Sequence, residues 1–232
     1  MSDSEVIAIM VYFHLMNYRN STHFYINHMQ VNMRAEFQVT VSYNRFIELQ
    51  QKAIMPMCVF LKKLCLGSCT GISFIDSTPI RACHIKREKQ NRVLKGLAAK
   101  GQCSIGWFYG LTLRLIINDM GELQDFMLPP GNVDDREPLK CMGFHKRLFC
   151  KLFGDKGCVS KDLFEQLFID GIHLVTKIKK NMKNALMHLH DKLHLRKRAL
   201  IEIVNDQLKN IARWSIRGID PRQTSFQTSF QG

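Results

Sequence analysis

From residue 107 to residue 117 the chain alternates without interruption, with Trp107, Tyr109, Leu111, Leu113, Leu115 and Ile117 on one side of an extended backbone. Successive side chains of a strand point to opposite faces, so this run demands a sheet and a covered face. Residues 118–121 supply a turn, and residues 122–128 return as a further strand before Pro129, Pro130 and Gly131 break it. Residues 71–76, GISFID, form a short apolar run ending on a carboxylate, which reads as a buried strand.

The remaining elements alternate. Asp134 or Asp135 caps a helix running to 149, with Pro138 tolerated in its first turns. Residues 151–155 form a short strand ending on a second carboxylate. Ser160 caps a helix whose apolar face carries Leu163, Phe164, Leu167 and Phe168, stopped by Gly171. Residues 172–177 are the fifth strand, and a basic helical stretch covers about 182–211. Three strands followed by alternating helix and strand predict an α/β fold: a mixed five-stranded sheet flanked by helices, in the element order of the ribonuclease-H-like fold.

Residues 1–65 read as a separate helical region. Ser2 and Glu5 make a capping box ahead of Val6, Ile7, Ile9 and Met10, and further helices fall around 23–37 and 43–64. Its basic and aromatic residues suit a DNA-binding or partner module. The domain expected to carry the chemistry spans 66–212. The tail, 213–232, ends in QTSFQTSF and has the composition of a disordered segment.

Charge narrows the partners. The 232 residues carry 33 Lys+Arg against 20 Asp+Glu, a formal net charge of +13. Such a surplus favours a polyanion, because neutralising phosphates releases condensed counterions. The opening MSDSEV lacks the cationic start of a secretory signal, and the longest apolar stretch, 6–16, is too short to cross a bilayer. A cytoplasmic protein with no membrane partner is expected. Eight cysteines without a CxxC pair read as scattered buried thiols, not as a zinc site.

Three acids stand out: Asp76, Asp155 and Glu202. In the expected sheet the strands bearing Asp76 and Asp155 are neighbours, so their carboxylates can meet at one Mg²⁺. That ion prefers hard oxygen ligands and is often held by one or two carboxylates plus a substrate phosphate. Paired ions can activate an attacking oxygen and stabilise a leaving one. Glu202 lies on the basic helix, where Leu195, Arg198, Glu202, Asp206 and Lys209 share a face. Alone, that pattern also describes a solvated helix with internal ion pairs.

The segments FIDSTPI, KGLAAKGQCSIGWFYGLTLRLIIN, GELQDFMLPPGNVDDR, FGDKG, KNMKNALM and LRKRALIEIVNDQLKNI resemble the catalytic domain of DDE-type transposases from bacterial insertion sequences. The resemblance covers roughly 70–211 and is nearest to the group named after insertion sequence 982, in the insertion-sequence-4-like assemblage. It implies Asp76, Asp155 and Glu202 as a catalytic triad holding Mg²⁺ or Mn²⁺. It also implies double-stranded DNA as partner, cleavage and strand transfer at element ends, action in the bacterial cytoplasm at the nucleoid, and assembly as a homo-oligomer on DNA. Around the glutamate the family carries Tyr, Arg, Glu and Lys at fixed spacing. Arg198, Glu202 and Lys209 match, while Leu195 replaces the tyrosine. Both ends depart from family members, as expected of a truncated copy. The alternatives are an inactive DNA-binding remnant and a nuclease of the same fold without strand transfer.

Further DNA contacts are expected from Arg198 and Lys209, from Lys95 in the basic stretch 81–103, and from Lys179 and Lys180 after the fifth strand. The basic stretch reads equally as a solvated loop. Asp134 and Asp135 serve as helix caps or auxiliary metal ligands. His188, His190 and His194 share no helical face, which argues against zinc. Trp107 and Tyr109 alternate with core positions and are expected to pack.

Overall fold

The computed structural model describes residues 1–37, 39–91, 94–103, 106–140, 144, 147–155, 160–176 and 189–212. The expected disordered tail, 213–232, and the start of the basic helical stretch, 182–188, lie outside the described residues. The chain divides into two compact units, Met1–Leu66 and Gly67–Gly232.

The first unit is helical. Helix α1 (Asp3–Leu15) starts at the Ser2–Glu5 capping box, in which Ser2 Oγ accepts from Glu5 N and Glu5 accepts from Ser2 N. Short helices α2 (Ser21–His23) and α3 (Gln30–Asn32) flank a π-helical turn over Phe24–Met29, and α4 (Tyr43–Leu64) starts at Ser42. Val6, Ile9, Phe24, Tyr25, Met29, Phe46 and Ala53 make its buried core. Tyr25 donates its hydroxyl to Val41 O at 2.9 Å, so a phenol enters that core with its polar end satisfied.

The second unit is built on one sheet. Strand β1 (Ile72–Cys83) runs antiparallel to β3 (Gly106–Asn118), with Asp76 opposite Leu115. On its other side β3 pairs first with β2 (Ala99–Cys103) and then with β4 (Leu123–Met127). Residues 129–131 close the gap between those two, since Thr112 N donates to Pro129 O and Gly131 N donates to Gly110 O. Strand β1 also lies parallel to β5 (Cys150–Gly154), which lies parallel to β6 (Ile172–Thr176). The order β2-β3-β1-β5-β6, with β4 beside β3, is the mixed sheet of a ribonuclease-H-like fold.

Period-2 alternation divides the core. Ile75, Ile116, Leu152, Ile172 and Leu174 pack on one face against Leu139, Phe144, Leu148 and the α6 (Lys161–Ile169) residues Leu163 and Leu167. Phe74, Leu113, Leu115, Ile117 and Phe153 pack on the other, against Leu195 of α7 (Leu189–Lys197) and Ile201 of α8 (Ala199–Ala212). From Leu113 to Ile117 strand β3 is therefore covered on both faces, and even Arg114 is 0% exposed. A side chain at Gly110 would meet Ile80 O of the neighbouring β1 at 2.0 Å, so only glycine fits.

Several expectations change. Strand β1 does not end at Asp76 but continues seven residues to Cys83. Part of the supposed basic loop is the sixth strand, β2, followed by a hairpin into β3. The helix expected from 134 to 149 is described only as the short α5, Glu137–Lys140. The six described free cysteines are half-buried or exposed instead of buried. Ser160 does cap α6, accepting from Leu163 N at 3.2 Å, although Phe164 and Phe168 of its expected apolar face are exposed. Among the described residues no helix is long and apolar enough to cross a membrane.

Candidate active site

Two parallel strands bring the aspartates to the same height. Phe74 of β1 is in register with Phe153 of β5, and their rings lie 5.5 Å apart on the face covered by α7 and α8. Asp76 and Asp155 each follow two residues later, and residues two apart on a strand share a face. Helix α8 packs across this face of β1, with Arg198 at the joint between α7 and α8.

Arg198 joins the two acids. Its Nη2 donates to Asp76 Oδ1 at 3.1 Å and its Nη1 donates to Asp155 Oδ1 at 3.0 Å. A planar guanidinium suits this fork, because its two outer nitrogens can serve separate carboxylates without bending. The Arg198 side chain is 13% exposed, Asp76 20% and Asp155 58%, so the pocket opens to solvent on the Asp155 side. Asn205, on α8 about two turns beyond Arg198, donates Nδ2 to Asp76 Oδ2 at 2.8 Å. Both oxygens of Asp76 are thus held.

The charges are coupled. Burial pushes the Asp76 carboxyl above its ordinary value, the Arg198 charge and the Ser77 N–H pull it back, and the nearby negative charge of Glu202 adds to the rise. For Arg198 burial acts downward, but the charges of Asp155 and Asp76 outweigh it and raise its pKa.

Glu202 is exposed on the first turn of α8, one turn beyond Arg198. It acts on Asp76 through space. Asp76 and Asp155 meet at one cation, whereas among the described residues no three acidic, histidine or cysteine side chains gather closely enough to hold a metal. The donor set nonetheless suits a hard divalent ion. Two carboxylate oxygens already face one cation, and such ions often take only one or two carboxylates from the protein. Asn205 Oδ1, buried and without a hydrogen bond, is a further oxygen beside Asp76.

The other expected residues are spread out. Lys209, in the last turn of α8, reaches Asp206 at 3.5 Å and remains half-exposed. Lys95 is exposed in the turn before β2, while Lys179 and Lys180 lie outside the described residues, as does His188. The His194 ring lies tilted against Phe153, with centroids 5.5 Å apart. Asp134 accepts from Arg136 N at 2.9 Å and from its guanidinium, bonds that hold the Asp134 carboxyl well below the usual range. Asp135 faces the buried Arg114 at 3.4 Å. Tyr109 is buried as expected, but Trp107 is 58% exposed and lies outside the buried core.

Asn205 is the residue that the sequence reading missed. Its spacing of three from Glu202 and seven from Arg198 placed it on the same helical face, but a neutral amide among charges carries no chemical signature.

Residues 66–216 match the family described as the transposase DDE domain. No curated protein matches the sequence. Solved structures that match include a cryo-EM structure of the piggyBac transposase synaptic complex with hairpin DNA, 14% identical with a TM-score of 0.42. That match covers 79% of this chain, and the chain spans 42% of that transposase.

Proposed function

Because this chain belongs to the transposase DDE domain family, we propose that it is a DNA transposase of a bacterial insertion sequence in the insertion sequence 982 group. Its substrate is double-stranded DNA, cut at the element's ends and joined to a target. The observation that supports this best is the convergence of Asp76 and Asp155 on one buried-side cation, Arg198, at 3.1 and 3.0 Å.

Asp76 and Asp155 would hold Mg²⁺ or Mn²⁺, with Glu202 completing the set from α8. When bound, the ions supply activation of the attacking oxygen and charge stabilisation at the leaving one. The protein's own residues do the positioning. Asn205 fixes the Asp76 carboxylate through Oδ2, leaving Oδ1 facing the pocket's cation. Arg198 and Lys209 lie on the α8 side and carry positive charge for a DNA phosphate drawn to the site. Lys95, Lys179 and Lys180 add contacts to more distant backbone. The helical residues 1–65 serve as a DNA-binding or partner module, and the active form is a homo-oligomer on paired ends.

A second reading has an observation of its own. The Arg198 fork takes up both Oδ1 atoms, as it would in a catalytically inactive DNA-binding remnant. One assay separates the readings. Full-length protein is incubated with a plasmid carrying the gene and its flanking DNA, with Mg²⁺ or Mn²⁺. Nicks at the element's ends followed by joined products support the transposase. Nicks without joining support a nuclease of this fold, and salt-sensitive binding without any cut supports the remnant.

A further inference from the structure

The β2–β3 hairpin presents an indole to solvent in a strongly basic setting. Trp107 is 58% exposed at the outer end of β3, and Lys100 Nζ sits 5.3 Å from the centre of its ring. The strand register explains the pairing. Gln102 lies opposite Trp107 and Lys100 opposite Tyr109, so Lys100 and Trp107 share a face and meet on the diagonal. A cation held over an indole in water gains too little to account for leaving so much apolar ring exposed.

The same face leads to the candidate site. Asp76 is opposite Leu115, and Leu115, Leu113, Leu111, Tyr109 and Trp107 alternate along one side of β3. Eight residues at about 3.4 Å each place Trp107 at most about 27 Å along the strand from the carboxylates. That is roughly eight base pairs of duplex, whose strands rise about 3.4 Å per nucleotide.

Charge selects the occupant. Between residues 77 and 113 the chain has Arg81, Lys86, Arg87, Lys89, Arg92, Lys95 and Lys100 against Glu88 alone. Lys86, Arg87, Lys89, Lys95 and Lys100 are exposed. One sign of charge in the segment that leads into a hairpin bearing an exposed aromatic ring fits a polyanion with apolar sugar between its phosphates.

We propose that the β2–β3 hairpin is a second DNA-contact surface, with Lys100 on a phosphate and the Trp107 ring against deoxyribose, about eight base pairs from the phosphate at Asp76. The proposal rests on the transposase reading and adds to it a contact remote from the chemistry. It predicts a length threshold. Only duplexes that reach from the carboxylates to the hairpin can use Trp107.

The test is binding of full-length protein, without divalent metal, to fluorescent duplexes of graded length up to about 30 base pairs. Trp107→Ala should weaken binding to long duplexes about tenfold, the loss typical of a truncated aromatic anchor. Trp107→Phe should recover most of it, and Lys100→Ala should lower the salt slope by about 0.9. Both losses should disappear on duplexes shorter than about eight base pairs. In a Trp214→Phe background, where Trp107 is the remaining tryptophan, long duplex should quench the indole emission. If the wild type binds long duplex and the variants bind it equally, the hairpin inference falls and the transposase reading stands. If the wild type binds no duplex of any length, both fall together. Losses that persist unchanged on the shortest duplexes would overturn the remote placement.

Discussion

The two ends of the β1–β3 ribbon are opposites. At the β5 end the acids Asp76 and Asp155 share one arginine, and both oxygens of Asp76 are engaged. At the hairpin end the exposed Lys100 lies over an exposed ring. Burial makes the first end sensitive to single atoms, because a desolvated carboxylate needs each of its partners. Exposure makes the second end tolerant, because solvated cations act additively and are screened by salt. Substitutions should therefore produce large, specific losses at the first end and small, graded ones at the second.

The largest effect belongs to the carboxylates. Asp76→Asn or Asp155→Asn should reduce DNA cleavage by about a thousandfold or more, as loss of a central catalytic group does, while binding to duplex changes little. Cleavage on a supercoiled plasmid and anisotropy on a labelled duplex read the two separately. A cleavage rate within tenfold of wild type in either variant would remove these aspartates from the chemistry.

Arg198 tests the coupling itself. Arg198→Ala leaves Asp76 without the charge that pulls its pKa down, and should cost about 1–3 kcal/mol in denaturant unfolding. The pH dependence has a definite sign. Burial sets the folded pKa of Asp76 above its ordinary 3.8. Between those values the folded state binds the proton more tightly, so stability falls as pH rises through the window. Asparagine binds no proton there, so the Tm of Asp76→Asn should gain on wild type as pH climbs above about 3.8. In Arg198→Ala the window should extend to higher pH. The Asp134 carboxyl, held low, titrates below 3.8 and does not interfere. Parallel Tm curves for wild type and Asp76→Asn would show that Asp76 carries no shifted proton.

The same contrast governs what could be read in advance. The alternation from Trp107 to Ile117 and the Ser2 and Ser160 caps are local patterns, and local geometry realises them. Strand β1 hid its length because Pro79 interrupts the run. Beyond Phe74, however, β1 pairs only with β3, so Pro79 removes no bond to β5. Strand β2, AKGQC, is too polar to signal a strand and forms because β3 offers it an edge. The separate sharing of Arg198 by Asp76 and Asp155 depends on side-chain reach across three elements, which spacing does not encode. Trp107 followed the periodicity of its strand, but the cover over that face ends before reaching it.

Asn205→Ala sharpens the comparison with a smaller change. It removes the 2.8 Å bond to Asp76 Oδ2, worth about 1.5–3 kcal/mol for a bond to a charged group. The expected result is a loss of that size in unfolding free energy and about a tenfold fall in cleavage rate, with duplex affinity unchanged. Asn205→Gln should not rescue it, since the longer side chain displaces the amide. Equal cleavage in Asn205→Ala would mean that Arg198 alone orients the carboxylate.

The smallest effect is expected at Lys95, which is exposed beside the hairpin. A solvated lysine contributes one phosphate contact at most, so Lys95→Ala should lower the slope of log affinity against log salt by about 0.9 and leave stability within about 0.5 kcal/mol. Cleavage at saturating DNA should not change, because Lys95 lies in the turn before β2, outside the Arg198–Asp76–Asp155 cluster. The informative variant is the pair Lys95→Ala with Lys100→Ala. Independent, solvated contacts should add, giving a slope change of about 1.8, whereas a rigid, desolvated patch like that around Arg198 would give a coupled loss. A coupled result would mean that the hairpin end is ordered around its ligand in the same way as the acidic end, and the difference between the two ends would vanish.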